Sequence, residues 1–465
     1  MELWETLRFG ARALHLKSMS TASPEKIADK QLSRLRRLVA HAKENSPYLA
    51  EKYADVNPET CELADLPVSD KSEVMENFDR WLTVDDVKQN EVEAFFDDES
   101  NLGKLFKERY VLSHTSGSTG QPLLLVKAPI DFELMFALQA ARGHRTSLDL
   151  KEMFTRLTEP VRLAAVTLKP GFYPSGSAFQ YMPDGVKNFI DVLQLSLNDE
   201  NLLARLAEFK PTHLTTYASI LHELARAVEA GELDFGDHLE QVVNISEKLM
   251  AGPRKRYEKL FGAPVLDDYG MGECLFLTSG CMTSQGMHVN SDWAILEVVD
   301  DDNQPVPAGE RGAKVLLTNL ANQIQPFIRY EVGDVVVMAS KNCDCDVTLP
   351  LIAEIEGRNS EIFYTQVNGN LRPVHPAIVE QAIGQTTEVR EYQIVQDGPK
   401  FLQISVEPIG SASIDAQQVR QQVLERLADE GVTELEVQVE VVDRLVPSDQ
   451  GSKFQRVITN FEPEQ

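Results

Sequence analysis

Between Val161 and Leu266, short apolar runs alternate with helical stretches, and this alternation constrains the fold more than any other feature. Val161 to Val166, the run beginning at Phe189, Pro211 to Tyr217, Val242 to Ile245 and Pro264 to Leu266 read as strands. Leu202 to Phe209, Ser219 to Glu229 and Lys248 to Phe261 lie between them and carry helical periodicity. Strands alternating with helices predict an α/β unit with a parallel sheet. Ligands of such sheets sit beyond the carboxyl ends of the strands. Thr216-Tyr217, Asn244-Ile245-Ser246-Glu247 and Asp267-Asp268-Tyr269-Gly270 fall at those ends.

A second polar feature precedes this region. His114-Thr115-Ser116-Gly117-Ser118-Thr119-Gly120-Gln121-Pro122 leads into the apolar strand Leu123 to Val126. Glycines let backbone N–H groups approach a ligand closely, and hydroxyls beside them suit phosphate oxygens. No lysine follows Gly120, so the loop is not a Walker P-loop. By itself the loop reads equally well as a flexible surface turn.

The flanking regions differ in character. Met1 to Lys17 reads as an amphipathic helix packed on the body. Ser23 to about Ala54 is helical, broken at Ser46-Pro47, and another helix opens near Ser69-Asp70. Ile130 to Arg145 is helical. From Ala294 onward, Ile295 to Val299, Ala313 to Thr318 and Asp334 to Met338 are strands of an antiparallel or barrel-like subdomain. Beyond Gly357, Tyr392 to Val395, Phe401 to Val406, a helix from Ile414 to Leu427 and a strand Leu435 to Val442 form a compact α+β unit. In the last strand Leu435, Val437, Val439 and Val441 alternate with Glu434, Glu436, Gln438 and Glu440, predicting one buried and one wet face.

The chain has 465 residues, which suits roughly two to four domains. Its formal charge of −27 disfavours binding to nucleic acid, although one small anion in a local basic pocket is compatible with it. No apolar segment approaches the ~18 residues of a membrane span, and no signal peptide is legible. Five cysteines without an export signal predict a reducing cytoplasm and no disulfides.

Downstream of the Thr115–Pro122 loop, the ordered segments are Ser246-Glu247, Tyr269-Gly270-Met271-Gly272-Glu273, Ile328-Arg329-Tyr330 with Gly333-Asp334, Gly357-Arg358, and Gly451-Ser452-Lys453. In order and spacing the set resembles the adenylate-forming superfamily of acyl-CoA synthetases, peptide-synthetase adenylation domains and luciferases. It is most similar to the phenylacetate–CoA ligase branch. Ser46-Pro47-Tyr48 and Leu66-Pro67-Val68-Ser69-Asp70-Lys71 resemble that branch too, so nearly the whole chain is covered.

The resemblance implies a large N-terminal domain, residues 1–357, made of α/β sheets plus a β-barrel-like subdomain. A small mobile α+β domain, residues 358–465, would carry the catalytic lysine. It implies that Thr115, Ser116, Gly117, Ser118, Thr119 and Gly120 hold the β- and γ-phosphates of ATP. Asp268, Tyr269, Gly270 and Met271 would line the adenine side, with Ser246 and Glu247 beside them. Glu273 would bind Mg²⁺, a hard cation suited to carboxylate oxygen. Asp334 would accept both ribose hydroxyls, and Arg358 would reach ribose and phosphate. Lys453 would neutralise charge at the substrate carboxylate and α-phosphate. The implied activity is conversion of a small carboxylic acid to an acyl-adenylate and then, with coenzyme A, to a thioester. Transfer to an amine, hydroxyl or carrier protein stays open as the second reading, and a non-catalytic nucleotide-binding protein as the third. A homodimer is expected by analogy alone.

Three places depart from the family pattern, one of them Gln121, which stands where a Lys is frequent. Gly272 stands where Thr usually precedes the metal-binding Glu, and Ser360-Glu361 replaces the usual acidic hinge pair. The cysteines carry a separate signal. Cys281 and His288, with the close pair Cys343 and Cys345, offer four N/S ligands suited to a closed tetrahedral zinc site. Spacing alone leaves this level with cysteines buried as small hydrophobes. Some members of the branch carry a similar set, so the resemblance implies structural Zn²⁺ in a β-rich subdomain of about 275–350. Cys274 is the expected substitute ligand, and Cys61 has no expected role.

Overall fold

A computed structural model describes residues 2–115, 122–142, 149–168, 171–283, 286–358, 362–367, 370–446 and 454–461, with the backbone alone for 2, 3 and 358. The expected parallel sheet is present. Its five strands run, in spatial order, Ile190–Ser196, Val161–Thr167, His213–Thr216, Gln241–Ile245 and Val265–Asp268. All neighbouring pairs are parallel. In chain order this is 2-1-3-4-5, so the winding reverses between Val161–Thr167 and His213–Thr216, where doubly wound sheets open a ligand crevice. Thr216 donates its hydroxyl to the Val166 carbonyl (2.8 Å) and ties the two strands together there.

The connecting helices Leu202–Phe209, Ala218–Glu229 and Ala251–Phe261 bury Leu206, Leu221, Leu224, Tyr257 and Phe261 against the sheet strands. A second core joins helices Glu2–Met19 and Pro129–Arg142 through Phe9, Leu16, Phe132 and Leu138. The N-terminal stretch is thus a packed helix, as its pattern predicts. Among the described residues no helix is long and apolar enough to cross a membrane.

The polar loop is carried by a hairpin. Val111–His114 pairs antiparallel with Leu124–Lys127, and Thr115 closes its stem through Thr115 N–H to Leu123 O (3.0 Å) and Leu123 N–H to the Thr115 hydroxyl (2.9 Å). Ser116 to Gln121 lie outside the described residues.

Beyond the parallel sheet, Ala294–Val299, Lys314–Asn319 and Tyr330–Val332 form one antiparallel sheet. A second contains Asp334–Met338, Leu351–Arg358, Met287–Val289 and Thr278–Gly280 in that order. This is the β-rich subdomain expected from the change of pattern at Ala294.

The remaining unit has a four-stranded sheet ordered Glu436–Val441, Phe401–Pro408, Val389–Gln396 and Val457–Thr459. Helices Ala377–Ile383 and Ala416–Asp429 accompany it, burying Val379, Ile383, Val419 and Val423 with Tyr392 and Ile404. One expectation fails in part. Leu435 and Val437 are buried, but Val441 is 44% exposed, because Glu436–Val441 lies at the sheet edge and its end outruns the covering helix.

Candidate active site

The candidate site is built around a tight turn after the last parallel strand. Met271 N–H donates to Cys274 O (3.1 Å) and Cys274 N–H to Met271 O (2.9 Å), leaving Gly272 and Glu273 at the tip. Asn319 donates its side-chain amide to Glu273 O (2.7 Å), and the Thr278 hydroxyl bonds both the N–H (2.7 Å) and the carbonyl (3.0 Å) of Tyr269. Tyr269 then donates its phenol to Asp334 Oδ2 at 2.6 Å. Asp334 in turn lies opposite Arg358 in the antiparallel ladder. Three expected site positions, separated by up to 89 residues of chain, thus converge at the carboxyl end of the sheet.

Gly272, the departure from the family pattern, has a steric cause. A Cβ there would stand 2.5 Å from Leu125 Cδ1, 3.1 Å from Pro174 Cγ and 3.5 Å from Thr115 Cγ2. The Glu273 turn is therefore pressed against the stem of the polar loop, and a threonine there would require the buried Leu125 side chain to shift.

The carboxyl of Glu273 is buried, and burial pushes its pKa up against Lys127 and the Tyr330 hydroxyl, which pull it down. Lys127 ends the strand leaving the polar loop. It is 4% exposed, its Nζ has no hydrogen-bond partner, and burial lowers it to about 8 against the opposing charges of Asp131 and Glu273. Desolvated charge with so few protein partners fits a site whose charge a bound cation or phosphate completes. Mg²⁺ would be held here by Glu273. Lys127 escapes a reading of the sequence, and Tyr330, named there within the Ile328-Arg329-Tyr330 segment, is given no role by it. The one available signal is a lysine closing an apolar strand four residues before Asp131.

At the neighbouring strand end, Ser246 adopts a left-handed φ of +65° and reverses the chain. Glu247 Oε2 accepts the Ser219 N–H at the start of helix Ala218–Glu229 (2.8 Å), while its Oε1 is buried without a partner. Asn244 fixes this loop by donating to Glu247 O (2.6 Å) and Asp267 Oδ1 (2.8 Å). Asp268 accepts from Gln139 Nε2 (2.9 Å) and from Gly280 N–H (2.5 Å), and burial raises its pKa to about 7. Gly270 and Met271 lie in the same turn. Of the expected site, Ser116, Gly117, Ser118, Thr119, Gly120, Ser360, Glu361 and Lys453 lie outside the described residues, as does the Arg358 side chain.

The thiol cluster is brought together as its residue types predict. Donor atoms of Cys281, His288, Cys343 and Cys345 all lie within 4.8 Å of one another. Cys281 Sγ is 3.4 Å from Cys343 Sγ, well beyond a disulfide bond of about 2.05 Å. His288 Nδ1 faces Leu349 O at 2.9 Å, which leaves Nε2, 3.2 Å from Cys345 Sγ, as the inward donor. Burial and the adjacent thiols push Cys345 up to about 12, and a divalent cation is what lets such a cluster ionise. The donor set and its closure fit zinc. Cys274 is buried beside Glu273 instead, outside the cluster.

Comparison with known proteins agrees with this geometry. Residues 189–316 match the AMP-binding enzyme family profile. The phenylacetate-coenzyme A ligase of Thermus thermophilus is 23% identical, over 95% of this chain and 98% of that one. The Pseudomonas putida ligase is 24% identical over 83% and 82%. A 2-hydroxyisobutyryl-CoA ligase structure, in a postadenylation state with a bound acyl-adenylate, superposes with a TM-score of 0.70 at 20% identity, covering 95% and 91%. Over nearly its whole length the chain is thus similar to phenylacetate-coenzyme A ligases, and its central segment matches the AMP-binding enzyme family.

Proposed function

We propose that this protein is an AMP-forming acid–thiol ligase, which activates a small carboxylic acid with ATP and passes the acyl group to coenzyme A. The observation that carries the reading is the Tyr269–Asp334 hydrogen bond beside the buried Glu273 carboxyl and the unpartnered Lys127 Nζ, at the carboxyl end of a reversed parallel sheet. The relatives are ligases of this kind by name, and the order of motifs along the chain supports the same chemistry.

In the first half-reaction a carboxylate oxygen of the acid bonds to the α-phosphorus, the bond to the bridging oxygen of pyrophosphate breaks, and pyrophosphate leaves. Thr115 and the residues to Gly120 hold the outer phosphates, and Asp334 accepts ribose hydroxyls, exchanging its tyrosine bond for them. Bound Mg²⁺ would supply positive charge to the phosphate oxygens, with Glu273 as its protein ligand. Lys453 neutralises charge at the reacting oxygens, and Arg358 approaches the ribose from the boundary strand. In the second half-reaction the thiol sulfur attacks the acyl carbon, AMP departs with the bonding pair, and the thiol proton goes to solvent. Residues 358–465 act as the unit that turns between the two steps. Zinc at Cys281, His288, Cys343 and Cys345 is structural, since four protein ligands leave no open position.

ATP–pyrophosphate exchange over a panel of acids, followed by mass spectrometry with coenzyme A, tests the reading. A mass corresponding to an acyl-CoA is expected. Exchange with no thioester product would favour a different acceptor, and no exchange with any acid would sink the enzyme reading. Lys453→Ala should abolish adenylation yet leave thioester formation from a supplied acyl-adenylate. Equal survival of both half-reactions would remove Lys453 from the site.

A further inference from the structure

Helix Ala218–Glu229 buries Ile220, Leu221, Leu224 and Ala225 in the core beside the parallel sheet. Away from that face it presents His222, Glu223, Arg226 and Glu229, whose spacing puts them on one stripe. Every one of the four meets a partner on the unit formed by residues 363–461. His222 Nε2 lies 3.2 Å from Glu391 Oε2, and Glu223 Oε2 lies 2.8 Å from Arg444 Nη2. Arg226 pairs with Glu407, and Glu229 Oε2 lies 3.8 Å from Arg390 Nη2.

The partner charges are deeply sealed, with Arg390 2% exposed, Glu391 4% and Glu407 2%. They also hold the end of the chain. Glu391 is gripped by Arg456 at 2.6 and 2.7 Å, and Glu407 Oε2 accepts the Leu445 N–H at 2.7 Å. A close backbone approach fixes the contact further, because a Cβ on Gly252 would stand 2.3 Å from Thr387 O.

The signs along the stripe fit in one register. Moving the unit by one helical turn would set Glu229 against Glu407, or Arg226 against Arg390, like charge on like. Desolvated charges make such a mismatch costly, since a buried ion without its partner is strongly destabilising. The same helix begins at the nucleotide side, where Ser219 N–H bonds Glu247, and Arg456 interacts electrostatically with Glu247. The paired pose therefore sets the C-terminal chain on the side of the sheet where the candidate site lies.

We propose that the His222–Glu223–Arg226–Glu229 stripe is a position-specific latch, which holds the C-terminal unit in the pose for acid activation and releases it for acyl transfer. The inference rests on the two-step reaction proposed above. Its residues are positioning residues, acting through the placement of the unit that carries Lys453.

Hydrogen exchange and separated half-reactions test it on the intact protein, using Arg226→Met, Glu407→Gln and their double variant. In each single variant, amides of Ala218–Glu229 and Phe401–Pro408 should exchange about tenfold faster, with the parallel-sheet strands unchanged. Pyrophosphate release should fall by about tenfold, while thioester formation from a supplied acyl-adenylate does not fall. The double variant should lose less than the product of the singles, because the Arg226–Glu407 contact is then lost once, while Arg390 loses Glu407 in both the Glu407→Gln single and the double variant. Arg444→Met, at the more exposed rim, is the fallback if Arg226→Met does not fold, with a smaller shift in the same direction. Unchanged exchange would overturn the latch. Faster exchange with both half-reactions slowed equally would overturn its link to acid activation. Absent pyrophosphate release from the parent protein would overturn the proposed function instead, leaving the exchange measurement to decide the latch.

Discussion

Two regions of this molecule bury charge to a similar depth and treat it in opposite ways. At the candidate site burial drives groups toward neutrality: Lys127 falls to about 8, Asp131 rises to about 6 and Asp268 to about 7. At the latch, burial would raise Glu391, yet Arg456 beside it and His222 outweigh that and hold it at about 2. The difference lies in partners. Glu391 receives Arg456 on both oxygens and His222 on one, whereas Lys127 Nζ and Glu247 Oε1 have none. Arg390 at the latch also keeps Nε and Nη1 buried without a hydrogen bond, with Glu407 and Glu229 at 3.6 and 3.8 Å, so the contrast is one between Glu391 and the groups of the candidate site. Incompletely paired buried charge beside a strand-end crevice suits a bound ligand.

The sharpest way to break this comparison is to neutralise one carboxylate in each region. Glu391→Gln leaves the Arg456 charge buried without its counterion and should cost about 3–5 kcal/mol of stability. Glu273→Gln removes a carboxylate whose charged form burial disfavours, so the melting temperature should hold or rise while pyrophosphate release falls about 10²-fold. Thermal melts beside activity assays check both. If Glu273→Gln destabilised as much as Glu391→Gln, the two regions would not differ in kind.

The thiol cluster is a third arrangement, whose charge a bound metal would balance. One zinc per chain is expected in the purified protein. Cys343→Ser should lose it and lower the melting temperature, since a bound metal would tie the segment after Thr278–Gly280 and strand Met287–Val289 to the loop before Leu351–Arg358. A metal-free protein that melts at the same temperature would return these residues to ordinary packing. A smaller effect is expected at the tip of the Glu273 turn. Gly272→Thr forces a Cβ against Leu125 and should cost about 1–3 kcal/mol, with no gain in pyrophosphate release. A more active, equally stable variant would show that the turn has room after all.

What the sequence discloses follows from the range of the interactions. The parallel strands are legible because each is a short apolar run bounded by helices, and Tyr269, Glu273 and Asp334 because their order matches a known pattern. The thiol cluster is legible through the resemblance, since spacing alone leaves it level with buried cysteines, and its members come from one strand and the segments around it. Leu351–Arg358 is missed as a strand, since its mixed text of Leu, Ile, Ala and Glu breaks the alternation at a bulge. Helix Leu150–Thr158 is missed too, although Leu150, Met153, Phe154 and Leu157 recur at helical spacing; Leu150 and Phe154 of that stripe are over 60% exposed in the fold. The latch is illegible for a different reason. His222 and Glu391 are 169 residues apart, and periodicity within one helix says which residues share a face but not what lies across from them.

The smallest predicted effect separates the two regions by the sign of a pH slope. The Asp268 pKa is raised from 3.8 to about 7, so between about pH 4 and 7 the folded chain keeps a proton that the unfolded chain has released. Its contribution to stability therefore declines as pH rises through that window. Asp268→Asn removes the slope while Gln139 is free to turn its amide toward the new side chain. The variant's melting temperature relative to the parent should rise from pH 4.5 to pH 8. Asp131 slopes the same way but is present in both proteins and cancels in the difference. Glu391 runs oppositely: its depressed pKa contributes stability above about 4.5, lost only as pH falls toward 2. The deficit of Glu391→Gln should accordingly stay flat from pH 5.5 to 8. A flat difference for Asp268→Asn over the same range would mean that its carboxylate is as fully paired in the fold as Glu391, and the contrast between the regions would fail at that residue.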